Sequence, residues 1–86
     1  MSQTQTIIDV REPDEYAAGH HQDAINIPLS TLPGNPKLNN IAKDSKIILY
    51  CRSGSRSGMA QQILSGQGYT SLTNGINQNN VEKQFG

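Results

Sequence analysis

The apolar residues of this chain come in short bursts set off by turn-forming residues. Residues 6–10, 24–27, 46–50 and 70–72 are brief, rich in β-branched or aliphatic side chains and bounded by Gly, Pro, Asn, Asp or Ser, the pattern of strands. They do not alternate cleanly between apolar and polar. The run Ile47-Ile48-Leu49 is continuous, which suits a strand covered on both faces, as in a parallel sheet. Between the strands lie helical patterns. Residues 13–18 open with a proline in the first turn and acids beside it, a shorter pattern falls at 38–42, and 56–65 is the longest. In that last segment Met59, Ala60, Ile63 and Leu64 recur at spacings of three and four and are expected to share the buried face, with Gly66 or Gly68 ending the helix.

Strands alternating with helices predict one small α/β domain over residues 1–86. The stretch 28–36, with Pro28, Pro33, Gly34 and Pro36, reads as a loop. The Asn- and Gln-rich segment 74–86 reads as a tail that frays or forms a short helix near 81–85. A chain of 86 residues buries only about 60–65% of its unfolded surface, so the core is small and leaves room for one site.

Charge narrows the function. Seven basic and seven acidic side chains balance, which argues against nucleic acid or an anionic membrane as partner, and no apolar run reaches the ~20 residues of a membrane span. The distribution says more than the sum. Asp9, Glu12, Asp14, Glu15 and Asp23 fall in the first 23 residues, whereas Arg52 and Arg56 stand together and no acid occurs between Asp44 and Glu82. The region around the arginines suits a small anion. One cysteine allows no internal disulfide, and the N-terminus has no basic residue and no long apolar core before Asp9. A cytoplasmic location is expected, or a periplasmic one if a leader has been removed.

That cysteine, Cys51, follows the 46–50 strand and opens the loop CRSGSRS. Ligands of open α/β sheets bind at the carboxyl ends of parallel strands. Gly54 with Ser53, Ser55 and Ser57 lets the backbone curl so that its N–H groups converge, a concavity completed by the next helix's N-terminus. Converging N–H dipoles with Arg52 and Arg56 favour a thiolate, and a thiolate in an anion cradle attacks an electrophile carried by an anion, at phosphorus or at sulfur. Tyrosine phosphatases place five residues between cysteine and arginine. Here four intervene before Arg56, a tighter ring that suits sulfane sulfur better than a phosphoryl group. Without its flanks, Cys51 would read as a small buried hydrophobe and the loop as a plain turn.

The remaining candidates read as structural. Adjacent His20 and His21 point to opposite sides of an extended segment and lack further ligands for zinc, so His20 is expected to fix a turn. Asp9 and Arg11 are expected to pair and brace the loops.

Three blocks carry a family resemblance: IIDVREPDEY, YAAGHHQDAINIP and CRSGSRSGMAQQILSGQGY, together covering most of residues 7–72. On these the chain resembles single-domain rhodaneses of the phage shock protein E type. The resemblance implies a rhodanese-like α/β fold and a thiosulfate sulfurtransferase. Cys51 takes up sulfur, the N–H groups of Arg52, Ser53, Gly54, Ser55, Arg56 and Ser57 cradle it, and the Arg56 side chain binds the anion. The implied partners are a small anionic sulfur donor and a thiol or cyanide acceptor, with no metal or organic cofactor, and the chain is expected to be a monomer. Two readings stay open beside it: a sulfur-carrier or regulatory module with little turnover, and a phosphatase or arsenate reductase of related fold. Three departures stand out. The family's isoleucine, proline and glycine after the histidine are His21, Gln22 and Asp23 here. An early strand and helix are missing, so four or five parallel strands are expected. The closing pair of glycines is Asn74-Gly75, with no tryptophan after it.

Overall fold

The computed structural model describes residues 5–85; residues 1–4 and Gly86, which belong to the expected single domain, lie outside the described residues. The elements run β1 (Gln5–Asp9), α1 (Pro13–Ala18), β2 (Ala24–Asn26), β3 (Lys46–Cys51), α2 (Ser55–Gly66), β4 (Leu72–Asn77) and α3 (Gln78–Phe85). Two 3₁₀ turns, Leu29–Thr31 and Pro36–Asn40, lie in the long β2–β3 connection. The second of them takes the place of the helix expected at 38–42. With Pro36 in its first turn and Asn35 accepting from the Lys37 N–H, the segment closes tight turns and then stops at the extended Ile41.

Among the described residues the strands form one all-parallel sheet in the order β2-β1-β3-β4. Side chains leave a strand on alternate faces, and β3 uses both. Ile47, Leu49 and Cys51 enter a cluster with Ile8, Ala60 and Leu64, while Ile48 and Tyr50 pack on the other face with Ile7, Ala24 and Val81. This two-sided burial is what the continuous run Ile47-Ile48-Leu49 encodes. Cys51 therefore points toward α2, on the same face as the larger cluster.

The C-terminal part departs most from the sequence pattern. The fourth strand is Leu72–Asn77, not 70–72: Thr70 donates its N–H to Lys43 O (2.9 Å) and Ser71 O accepts from Ile47 N–H (2.9 Å) before the ladder is established. Of the segment 74–86, expected to fray or to form a short helix near 81–85, residues 74–77 are the second half of that edge strand and Gln78–Phe85 form a longer helix, α3, anchored by buried Val81. A register shift between Leu49 and Tyr50 leaves Gly75 as an extra residue, so Tyr50 faces Ile76 and Cys51 faces Asn77. Glycine is required at this bulge. A Cβ on Gly75 would lie 2.5 Å from Val81 Cγ2 and 3.0 Å from Ile48 Cγ2, so the bare backbone lets α3 seat against the sheet.

Helix α2 spans Ser55–Gly66 and buries Ser57, Ala60 and Leu64; Ile63 is half-buried, and Met59, expected on the buried face, is 57% exposed. The buried positions are spaced three and four apart beginning at Ser57, which turns Met59 to solvent.

Candidate active site

The site begins where β3 ends. Cys51 is 2% exposed, and its Sγ accepts a hydrogen bond from the Gly54 N–H at 3.1 Å and lies 3.6 Å from Ser57 Oγ. Gly54 has φ +96°, a left-handed conformation that turns the loop back on the sulfur and caps α2. Burial pushes the thiol up, but hydrogen bonds from Ser57 and from the N–H groups of Ser57, Ser53 and Gly54 more than offset it, and the net shift is downward.

A cavity of about 430 Å³ opens over Cys51, with Arg52 and Arg11 on its walls and Asn77, Gln78, Asn79 and Glu82 opposite. The first turn of α3 is brought there by the Cys51–Asn77 register, and Asn77 caps it by accepting from the Asn80 N–H at 2.8 Å.

Of the two loop arginines, Arg56 is paired with Glu15, Nη1 donating to Oε1 at 2.7 Å and Nη2 to Oε2 at 3.1 Å. Glu15 also accepts from the Glu12 N–H at 2.9 Å, and together Arg56 and that N–H hold its carboxyl down to about 2. The pair ties the start of α2 to α1. Arg52, exposed at the cavity wall, takes part in neither ion pair of the described residues.

The pair expected of Asp9 and Arg11 is present. Asp9 is fully buried and receives Arg11 Nη2 at 2.6 Å and Nε at 2.9 and 3.0 Å, while the same Nη2 also donates to Gly19 O at 2.7 Å. His20 stacks on Tyr16 with ring centroids 3.6 Å apart and places Nδ1 2.8 Å from Tyr16 O, fixing the turn after α1. His21 is buried; its N–H donates to Tyr50 Oη at 3.0 Å and its Nδ1 accepts from Asp23 N–H. Among the described residues no group of three or more His, Cys, Asp or Glu side chains is arranged to hold a metal ion, and no helix is long and apolar enough to cross a membrane.

The family model for the rhodanese-like domain matches residues 1–79. The chain belongs to the rhodanese-like domain family. Among its relatives, "Uncharacterized protein YqhL" of Bacillus subtilis is 46% identical over 68 residues, covering 79% of this chain and 52% of that protein. "Thiosulfate sulfurtransferase PspE" of Escherichia coli is 42% identical over 67 residues, covering 78% of this chain and 64% of that protein. The chain thus spans between half and two thirds of the length of these relatives. Among solved structures, "rhodanese with anions from E. coli" superposes with a TM-score of 0.81 at 36% identity, covering 90% of this chain and 91% of that one.

In this rhodanese-like domain, several residues around Cys51 escape a reading of the sequence. Asn74 receives Ser57 Oγ at 2.6 Å and donates to Gly54 O at 3.1 Å, linking β4 to the cysteine loop. Asn77, Gln78, Asn79 and Glu82 lie in what looks like a polar tail. For Glu15 one signal was present: five acids in the first 23 residues face a loop with two arginines and no acid of its own.

Proposed function

We propose that the protein is a thiosulfate sulfurtransferase acting through a Cys51 persulfide. The observation that carries this reading is the Gly54 N–H on Cys51 Sγ within a loop of four residues between cysteine and Arg56. Thiolate Sγ attacks the outer sulfur of thiosulfate; an S–S bond forms, the bond to the sulfonate sulfur breaks, and its electron pair leaves on sulfite. The acceptor, cyanide or a thiolate, then attacks the outer persulfide sulfur, and the pair of the breaking S–S bond returns to Cys51. Arg52 and the first turn of α3 line the cavity over Cys51, which supports a role for them in electrostatic stabilisation of charge leaving the sulfur. Relatives named thiosulfate sulfurtransferase, and a "Thiosulfate:glutathione sulfurtransferase" of Saccharomyces cerevisiae 34% identical over 78 residues, support the reading.

The loop length favours sulfur over phosphorus. Tyrosine phosphatases place five residues between cysteine and arginine, and four stand between Cys51 and Arg56 here, a tighter ring for a phosphoryl group. The test is incubation with thiosulfate followed by intact-mass measurement. Native protein should gain one sulfur atom, lost on addition of cyanide with release of thiocyanate, and Cys51→Ser should do neither. Thiocyanate formation by that variant, or aryl phosphate hydrolysis outpacing thiocyanate formation in the native protein, overturns the assignment.

A further inference from the structure

The asparagine that stands where the family usually has a glycine reaches the reactive sulfur through one intermediary. Asn74 Nδ2 donates to Gly54 O at 3.1 Å, and Asn74 Oδ1 accepts the Ile76 N–H at 3.0 Å. A carbonyl oxygen only accepts and a backbone N–H only donates, so these contacts fix which way the amide faces and present its oxygen to Ser57. Ile76 is itself held at φ +74°, the one non-glycine residue with positive φ among those described, and for a β-branched side chain that conformation is strained. Its N–H is delivered to Asn74 in that conformation.

Ser57 Oγ lies 2.6 Å from Asn74 Oδ1 and 3.6 Å from Cys51 Sγ, and Ser57 is fully buried. A hydroxyl has one proton. Facing an amide oxygen that can only accept, Ser57 must donate to it, and so it turns a lone pair toward Cys51. That lone pair suits a thiol, whose S–H can donate to it, and repels a thiolate or a persulfide anion. The geometry points to Asn74 as a positioning residue for Cys51: it holds the Ser57 proton while Cys51 is a thiol, and the hydroxyl turns to the sulfur once Cys51 carries negative charge. The O–H bond turns and does not break, and the proton lost by Cys51 goes to solvent. Asn74 Oδ1 keeps the Ile76 N–H in both states, so no buried acceptor is orphaned. The consequence is a cysteine whose ionisation is opposed by Asn74 until charge develops. This deepens the reading of Cys51 as the nucleophile and rests on it.

The charged groups facing the sulfur are Arg52 on its own loop, Arg11 after β1 and Glu82 of α3 across the cavity, and Arg56 at the start of α2, paired to Glu15 of α1. A substitution at Asn74 removes none of them, so a changed ionisation reports on the hydroxyl. The experiment is the pH dependence of Cys51 alkylation by iodoacetamide in native protein, Asn74→Gly, Ser57→Ala and the double variant. Asn74→Gly should lower the midpoint by about one pH unit, the effect of losing the one hydrogen bond, from Ser57 to Asn74, that is made only while Cys51 is neutral. It should produce no shift in the Ser57→Ala background. An unchanged or raised midpoint in Asn74→Gly, or an equal shift without Ser57, overturns the proposal.

A measurement on the native protein guards against a variant that fails to fold. The Asn74 side-chain carbonyl carbon resonance should titrate with the alkylation midpoint, and a resonance flat through that range overturns the proposal equally. Alkylation requires no sulfur donor, so absence of thiocyanate formation would count against the enzyme assignment alone and leave this result readable.

Discussion

At the scale of single residues, the two arginines of the loop stand in different surroundings, Arg52 on the cavity wall and Arg56 paired with Glu15, and the proposed function predicts different effects of replacing them. Arg52→Ala should raise the thiosulfate concentration needed for half-maximal rate while leaving the melting temperature nearly unchanged, since the side chain is exposed and joins neither ion pair of the described residues. Arg56→Ala should act through the fold, loosening α2 from α1, and Arg56→Lys should restore only part because a lysine cannot reproduce the bidentate contact. Steady-state kinetics on both variants, beside thermal melts, read the difference; equal increases in KM would assign both arginines to the donor. The same pair has a pH signature. Glu15 is held at about 2 in the fold against an ordinary 4.5, so its stabilising contribution is present above about pH 4.5 and is lost as pH falls toward 2. Acid melts of Glu15→Gln should lack that part of the native protein's dependence. Little of this was legible beforehand. Cys51 announces itself by its flanks, but a contact between Glu15 and Arg56, 41 positions apart, depends on how α1 and α2 are placed at the same end of the sheet.

At the scale of elements, the sequence was most legible where burial dominates. β1 and β3 are apolar on both faces, α1 carries Pro13 at its start, and α2 ends in glycine, so local chemistry and tertiary packing agree. β4 and α3 were legible only in part, as a strand ending at Leu72 and a short helix near 81–85, because β4 buries only Gly75 and α3 only Val81, with Phe85 packed beside it, among Asn and Gln side chains. What makes them regular is the packing of one against the other at the bulge. Gly75→Ala should therefore cost about 1–3 kcal/mol through overpacking against Val81 and Ile48, measurable by denaturant unfolding. It should also lower activity by shifting Gln78, Asn79 and Glu82 from the cavity wall. A variant as stable as the native protein would show that α3 seats without a close approach at residue 75.

At the scale of the molecule, one buried phenol joins the histidine turn to the sheet. Tyr50, fully buried on β3, accepts the N–H of His21, and burial pushes its pKa up to about 12. Because the fold prefers the neutral phenol, the stability it contributes is complete below about pH 10, the ordinary value, and falls as pH rises through 12. Tyr50→Phe should abolish that alkaline loss while lowering stability at neutral pH by about 1–3 kcal/mol for the orphaned His21 N–H. Melts from pH 8 to about 12 test both, and an alkaline transition unchanged in the variant would assign it to another group.

The order of the strands has a consequence in time as well as in space. β1 lies between β2 and β3, and its pairing with β3 runs from Gln5 opposite Lys46 to Asp9 opposite Tyr50. The β3 partner of β1 is thus made some forty residues after it, and every strand pair of the described sheet is parallel, so no hairpin can nucleate early. A ribosome that has released the chain only as far as Ser45 has let out β1, α1 and the three-residue β2, with β3, the inner strand that joins β1 to β4, still inside. The cysteine loop follows β3 directly, so the sulfur site comes out with the strand that completes the core.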